Sequence, residues 1–142
     1  MEKIFQPVVL AIIKKDNKYL LTLRDEVDKP DSPFNGFWQL PGGGVEFGES
    51  VEDALVREIQ EELNVSITIN TMVLKILHKV RNKNWHGLFI CFVCRLENEN
   101  SDIKLNKEAS EWRWFTKEEI MSLKKLDGID EMVDASLECN CG

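Results

Sequence analysis

The chain has 142 residues, 43% hydrophobic and 30% charged, which is ordinary for a globular domain and excludes collagen, coiled coil and intrinsic disorder. Lys and Arg number 18 against 25 Asp and Glu, a formal net charge of −7, so nucleic acid is a disfavoured partner. The longest apolar runs, Val8–Ile13 and Leu88–Cys94, are six and seven residues; a membrane helix needs about 20. Gln6, Pro7, Lys14 and Lys15 interrupt any apolar leader core. The expectation is one domain, residues 1–142, in the cytoplasm and without a membrane partner.

Phe5–Lys14 is apolar on both alternating sets, as a central strand would be. Asp16-Asn17 signals a turn, and Tyr19–Arg24 reads as the returning strand. Asp25–Asn35 holds Asp, Ser and two prolines and reads as a loop. Phe37–Leu40 is a short strand, broken by Pro41-Gly42-Gly43-Gly44. Ser50 to Leu63 is the best-marked helix, with Ser50 and Asp53 resembling a capping box and Asn64 at the left-handed position after it. Leu55, Val56, Ile59 and Leu63 share its apolar face. Ile67–Val80 and Leu88–Leu96 read as long strands around Arg81–Asn84. Glu111–Phe115 is a short strand, Thr116 with Glu119 opens a second helix, and Asp130–Glu138 is a further helical stretch. Strands dominate without regular βαβ alternation, so the fold class is α+β, a mixed-sheet sandwich.

Four cysteines stand at 91, 94, 139 and 141. The C-x-x-C spacing of Cys91 and Cys94 fits a zinc site. Both lie inside an apolar run, however, and strand residues three apart face opposite sides. The spacing therefore predicts core thiols.

The chemistry-bearing segment is Arg57-Glu58-Ile59-Gln60-Glu61-Glu62. Glu58, Glu61 and Glu62 stand at i, i+3 and i+4, on one helical face. Like charges at that spacing cost a few tenths of a kcal/mol per pair, a cost that a hard divalent cation such as Mg²⁺ would offset. Three acidic residues alone describe an ordinary solvated surface. The context adds weight: Gly42-Gly43-Gly44 precedes the helix and lets backbone approach a ligand closely, and Glu49 is placed to meet Arg57 two turns along.

The pattern Gly43-x5-Glu49-x7-Arg57-Glu58-Ile59-x-Glu61-Glu62-x-Asn64-Val65 resembles the signature of the Nudix hydrolases. It departs only at Asn64, where the family usually has glycine, and asparagine tolerates a left-handed backbone. Outside the signature, Trp38-Gln39-Leu40-Pro41-Gly42-Gly43, Leu21-Thr22-Leu23-Arg24 and Glu108 through Phe115 resemble the MutT-like branch. The resemblance implies an α/β/α sandwich with a mixed sheet. It also implies hydrolysis of a diphosphate linkage in a nucleoside diphosphate joined to X. Carried over residue by residue, it implies Glu58 and Glu62 as metal ligands for Mg²⁺ or Mn²⁺. Glu61 is a ligand or the base. Glu49 and Arg57 orient the helix and reach the outer metal shell, and Arg24, Gly42 and Gly43 meet the substrate. Glu108 is a base or extra ligand, with Glu111 competing for that role.

Trp38, Trp112 and Trp114 fall in expected strands and read as packing residues. Trp85 and His86 lie by a turn with Arg81 and Lys83, where packing at a hairpin end outweighs stacking or a phosphate grip. His78 has no assigned role. One of Phe34, Phe37 and Phe47 is a candidate base stacker. The leading reading is a nucleoside triphosphate pyrophosphohydrolase, with an oxidised nucleotide among its candidate substrates. The alternatives are a hydrolase of ADP-ribose, a nucleotide sugar or a dinucleoside polyphosphate, and, in another class, a non-catalytic nucleotide sensor. A homodimer is compatible with this reading.

Overall fold

A computed structural model describes residues 2–138; Cys139 and Cys141 lie outside them. The long apolar strand β1 (Ile4–Lys15) turns at Asp16, whose φ is 56°, into β2 (Lys18–Arg24). Then come β3 (Trp38–Gln39), β4 (Gly42–Gly44), helix α1 (Val51–Leu63), β5 (Ile67–Arg81), β6 (Trp85–Leu96) and β7 (Ala109–Thr116). Helices α2 (Lys117–Ser122) and α3 (Ile129–Leu137) close the order. The sheet runs β3-β2-β1-β6-β5, with β4 on β1 and β7 on β2. β1 and β6 are parallel and the other pairs antiparallel, so the sheet is mixed, as expected. None of the helices among the described residues is long and apolar enough to cross a membrane.

Each face of the sheet has its own core. On one side α1 presses Ala54, Leu55, Ile59 and Leu63 against Val9, Ala11, Ile13 and Phe92. On the other, α2 and α3 bring Ile120, Ile129, Met132 and Val133 onto Ile12, Leu21, Val73 and Cys91. Cys94 belongs to the first core and Cys91 to the second. Pleat alternation has therefore separated the two thiols, and burial pushes both up to about 12.

Two sequence expectations need correction. Gly42–Gly44 is a strand rather than a break: it pairs with Val8–Leu10. A side chain on Gly42 would strike the Val9 carbonyl, and one on Gly43 would strike the Glu58 carboxyl, so glycine is what lets this strand lie so close. Val56 is 42% exposed, and Ala54 is buried in its place. At about 100° per residue, Val56 falls just past one edge of the buried arc and Ala54 closes the other.

β1 and β2 pair only at their hairpin end, Lys14 with Tyr19 and Lys15 with Lys18. Beyond it β1 joins β4 and β6, while β2 joins β3 and β7. Their divergence opens a cleft floored by Val8 and Leu10 of β1 and flanked by Arg24 of β2.

Candidate active site

α1 is started by Ser50, whose Oγ accepts the Asp53 N–H at 3.0 Å. It is stopped by Asn64 at φ 57°, ψ 38°, a left-handed residue that accepts the side-chain N–H of Gln60 at 3.2 Å. The helix phase sorts the carboxylates. At about 100° per residue, Glu62 and Glu58 lie within roughly 60° of Leu55, inside the arc facing the sheet. Glu61 lies about 120° away. The Glu58 side chain is accordingly only 15% exposed and that of Glu61 56%.

Arg57 fixes this helix to the preceding loop. Its guanidinium donates to Glu49 twice, Nε to Oε2 at 2.7 Å and Nη2 to Oε1 at 2.9 Å. It also donates to the Gly44 carbonyl at 3.0 Å and to Glu58 Oε1 at 3.0 Å. Glu61 receives longer bonds of 3.3 and 3.4 Å. Hydrogen bonds from Arg57, and from the Glu46 N–H, hold Glu49 down at about 2.

Glu58, Glu62 and Glu108 line a cavity of about 380 Å³ together with Arg24, Gly42 and Gly43. Glu49, Glu61 and Arg57 do not line it, and neither does Glu111, whose carboxylate pairs with Arg113 at 2.5 Å. The Gly42 N–H donates to Glu62 Oε2 at 2.9 Å. Burial raises the Glu62 carboxyl well above the usual range against that bond, and the Glu108 and Glu58 charges push it further. Glu58 is raised for the same first reason, with Arg57 opposing. Glu108 sits on a loop pinned to the end of β2: its carbonyl accepts from Asp25 N–H at 2.9 Å, and its N–H donates to Asn106 Oδ1 at 2.9 Å. A register shift between Leu23 and Arg24 places this loop beside Arg24, as bulges beside functional sites do.

Recessed carboxylates that repel one another are the donor set a hard cation favours. Among the described residues no three His, Cys, Asp or Glu side chains are gathered into a ready-made cage. Magnesium does not require one, because it is commonly held by one or two carboxylates plus substrate phosphates and water.

The lining of the cavity also carries cations. Arg24 donates Nε and Nη2 to Glu26 Oε2 at 3.2 and 3.0 Å. Lys79, Arg81, Trp85 and Phe89 line the same cavity. Sequence reasoning missed Lys79 and favoured a packing role for Trp85. The available signal was the period of two: Leu77, Lys79 and Arg81 alternate along β5, so all three face inward. Of the three phenylalanines, Phe47 is fully exposed, Phe37 lies under Lys124, and Phe34 is covered by two guanidiniums.

The comparisons agree with this architecture. A family model described as NUDIX domain matches residues 4–135. The chain is 35% identical over 105 residues to an ADP-ribose pyrophosphatase of Methanocaldococcus jannaschii, covering 74% of this chain and 58% of that protein. It is 30% identical over 123 residues to the nucleoside triphosphatase NudI of Escherichia coli, covering 80% of this chain and 84% of that one. The solved structure of a MutT protein from Methanosarcina mazei Go1 superposes with a TM-score of 0.75 at 25% identity, covering 99% of each chain. With the glycine strand, the Arg57–Glu49 clasp and the recessed glutamates all in place, the match over nearly the whole length identifies the chain as a member of the Nudix hydrolases.

Proposed function

We propose that this hydrolase cleaves (deoxy)nucleoside triphosphates to the monophosphate and pyrophosphate, with Mg²⁺ held by Glu58 and Glu62. One observation carries the reading: Glu58, Glu62 and Glu108 line a cavity that Arg24, Lys79 and Arg81 also line, a mixture of carboxylates and cations that suits a metal-bound substrate with several phosphates. The bound ion supplies charge neutralisation at the phosphates and lowers the pKa of the attacking water. Glu108 takes the proton that water loses as its oxygen bonds to phosphorus and the anhydride P–O bond breaks. It lines the cavity and is solvent-exposed, so it can return that proton. Arg24 holds a phosphate through its planar fork. Gly42 and Gly43 line the cavity and let β4 lie close against β1 and Glu58, which presents their backbone to the substrate. Arg57 and Glu49 position Glu58, and Glu61, more exposed than Glu58, would assist from the rim when the ion is bound.

A second reading, ADP-ribose hydrolysis, is favoured by the name of the archaeal relative. Product analysis decides between them. Nucleoside triphosphates, ADP-ribose, nucleotide sugars and dinucleoside polyphosphates should each be incubated with Mg²⁺ or Mn²⁺ and the released phosphates identified. Pyrophosphate from triphosphates, abolished in Glu62→Gln and Glu108→Gln, is expected. Turnover of ADP-ribose alone supports the second reading. Tight nucleotide binding with no turnover of any substrate would show a sensor.

A further inference from the structure

Arg81 is held in an unusual way. Its guanidinium lies 4.4 Å from the Phe34 ring centroid and 5.1 Å from that of Trp85. Rings therefore cover the guanidinium, and its N–H donors point along the edge. Among the described residues that edge makes no hydrogen bond or ion pair. Lys79 is similar: it lies 5.6 Å from the Phe89 centroid, donates to the Asp127 main-chain carbonyl, and has no ion pair among the described residues. Among the described residues no carboxylate forms an ion pair with either cation: Asp127 attracts both without pairing, Glu131 is paired with Lys75 at 3.2 Å, and Glu26 is paired with Arg24. Burial disfavours both charges, and Arg81 repels Lys79 while Arg24 repels Arg81, a cost that a bound anion would relieve.

The place matters as much as the charge. Lys79 and Arg81 line the 380 Å³ cavity and also a second cavity of about 590 Å³ that runs under Phe34 and Phe37. They stand at the junction. A stacked guanidinium with a free edge fits a bidentate oxyanion. The adjoining ammonium selects that anion over a neutral base edge.

We propose that Arg81 and Lys79, at the junction of the two cavities, form a specificity subsite for the terminal phosphate groups of a polyphosphate substrate, the same chemistry as free inorganic polyphosphate. This deepens the triphosphate reading and rests on it. The subsite favours substrates with phosphate beyond the cleaved linkage over those with a neutral X.

The test is a binding measurement that needs no turnover. Inorganic tripolyphosphate is titrated calorimetrically into the full chain in excess chelator, for wild type, Arg81→Gln, Arg81→Lys and Lys79→Gln, with melting curves to establish folding. Wild type is expected to bind, Arg81→Gln and Lys79→Gln to bind at least 10-fold more weakly, and Arg81→Lys to fall between, keeping the charge but losing the fork. If Arg81→Gln fails to fold, Arg81→Lys and Lys79→Gln decide. Absence of wild-type binding, or equal affinity in the folded variants, overturns the proposal. So does weaker guanosine binding in Arg81→Gln with tripolyphosphate unaffected, since Arg81 would then read a base edge. Failure of the triphosphate reading shows separately, as wild type that turns over no triphosphate with Mg²⁺ or Mn²⁺.

Discussion

Arg57 and Glu49 are joined as fork to fork, at 2.7 and 2.9 Å, and the same guanidinium reaches Glu58 at 3.0 Å. The ion pair is thus the handle by which the loop before α1 sets the position of a recessed glutamate. Arg57→Lys keeps the charge and loses the fork. With Glu58 as the proposed metal ligand, we expect kcat to fall about 10–100-fold, the usual effect of removing a ligand's orienting partner, with a smaller change in KM. An unchanged kcat would show that Glu58 needs no such handle.

The same pair predicts an acid limb. Glu49 titrates at about 2 in the folded chain and in the ordinary carboxylate range when unfolded. Its contribution to stability is complete above the unfolded value and is lost as pH falls toward about 2. Melting temperatures of wild type and Glu49→Gln should differ at pH 6 and converge as pH falls toward 2. A constant difference across that range would contradict the assignment.

Glu62 carries the opposite sign. Its folded pKa is raised, so the folded chain holds the proton more tightly than the unfolded chain, and stability falls as pH rises above the ordinary carboxylate range. Glu62→Gln removes that charge. In chelator at pH 8 the variant should be more stable by about 1 kcal/mol, a typical gain at a functional site, and the gain should vanish near pH 4. Activity with Mg²⁺ should be lost. A variant less stable than wild type at pH 8 would mean that the Glu62 charge is compensated.

Much of this was legible in the residues. The central strand, the capped helix and the left-handed Asn64 follow from local rules of apolar alternation, capping and backbone tolerance. Grouping Glu58, Glu61 and Glu62 on one face was too coarse. The phase relative to Leu55 already separates Glu61, but sequence does not say how wide the buried arc is until the sheet is in place. The glycines were read as a loop because strand propensity disfavours them. Their strand exists through pairing with β1, a tertiary fact. Lys79 went unnoticed because a cation on a strand normally reads as solvated.

The two glycines should respond differently to alanine. In Gly43→Ala the new methyl meets the Glu58 carboxyl, a flexible side chain that can swing aside. If Glu58 holds the metal as proposed, we expect kcat to drop at least about 10-fold, with little change in melting temperature. In Gly42→Ala the methyl meets the Val9 main chain, and φ is 149°, so the cost falls on folding. Comparable melting temperatures for the two would contradict this division.

Asn64 gives a further stability test. Asn64→Gly keeps the left-handed backbone and should be neutral or mildly stabilising. Asn64→Val should cost about 1–2 kcal/mol, because a β-branched residue resists positive φ. Chemical denaturation of both variants measures the gap, and equal midpoints would be inconsistent with φ 57° at this position.

The parallel pairing of β1 with β6 has a consequence for how the chain is made. Ile4 through Ile13 align with Trp85 through Cys94, so a ribosome must release most of the chain before the first strand finds that neighbour. Until then β1 has as strand neighbours only its short hairpin contact with β2 and the three-residue β4. Its Val8–Ile13 run meanwhile stays open to other nascent chains, the exposure that makes non-local strand pairing slow and prone to aggregation. Synthesis rate and chaperone supply, more than equilibrium stability, should therefore set the yield of soluble protein.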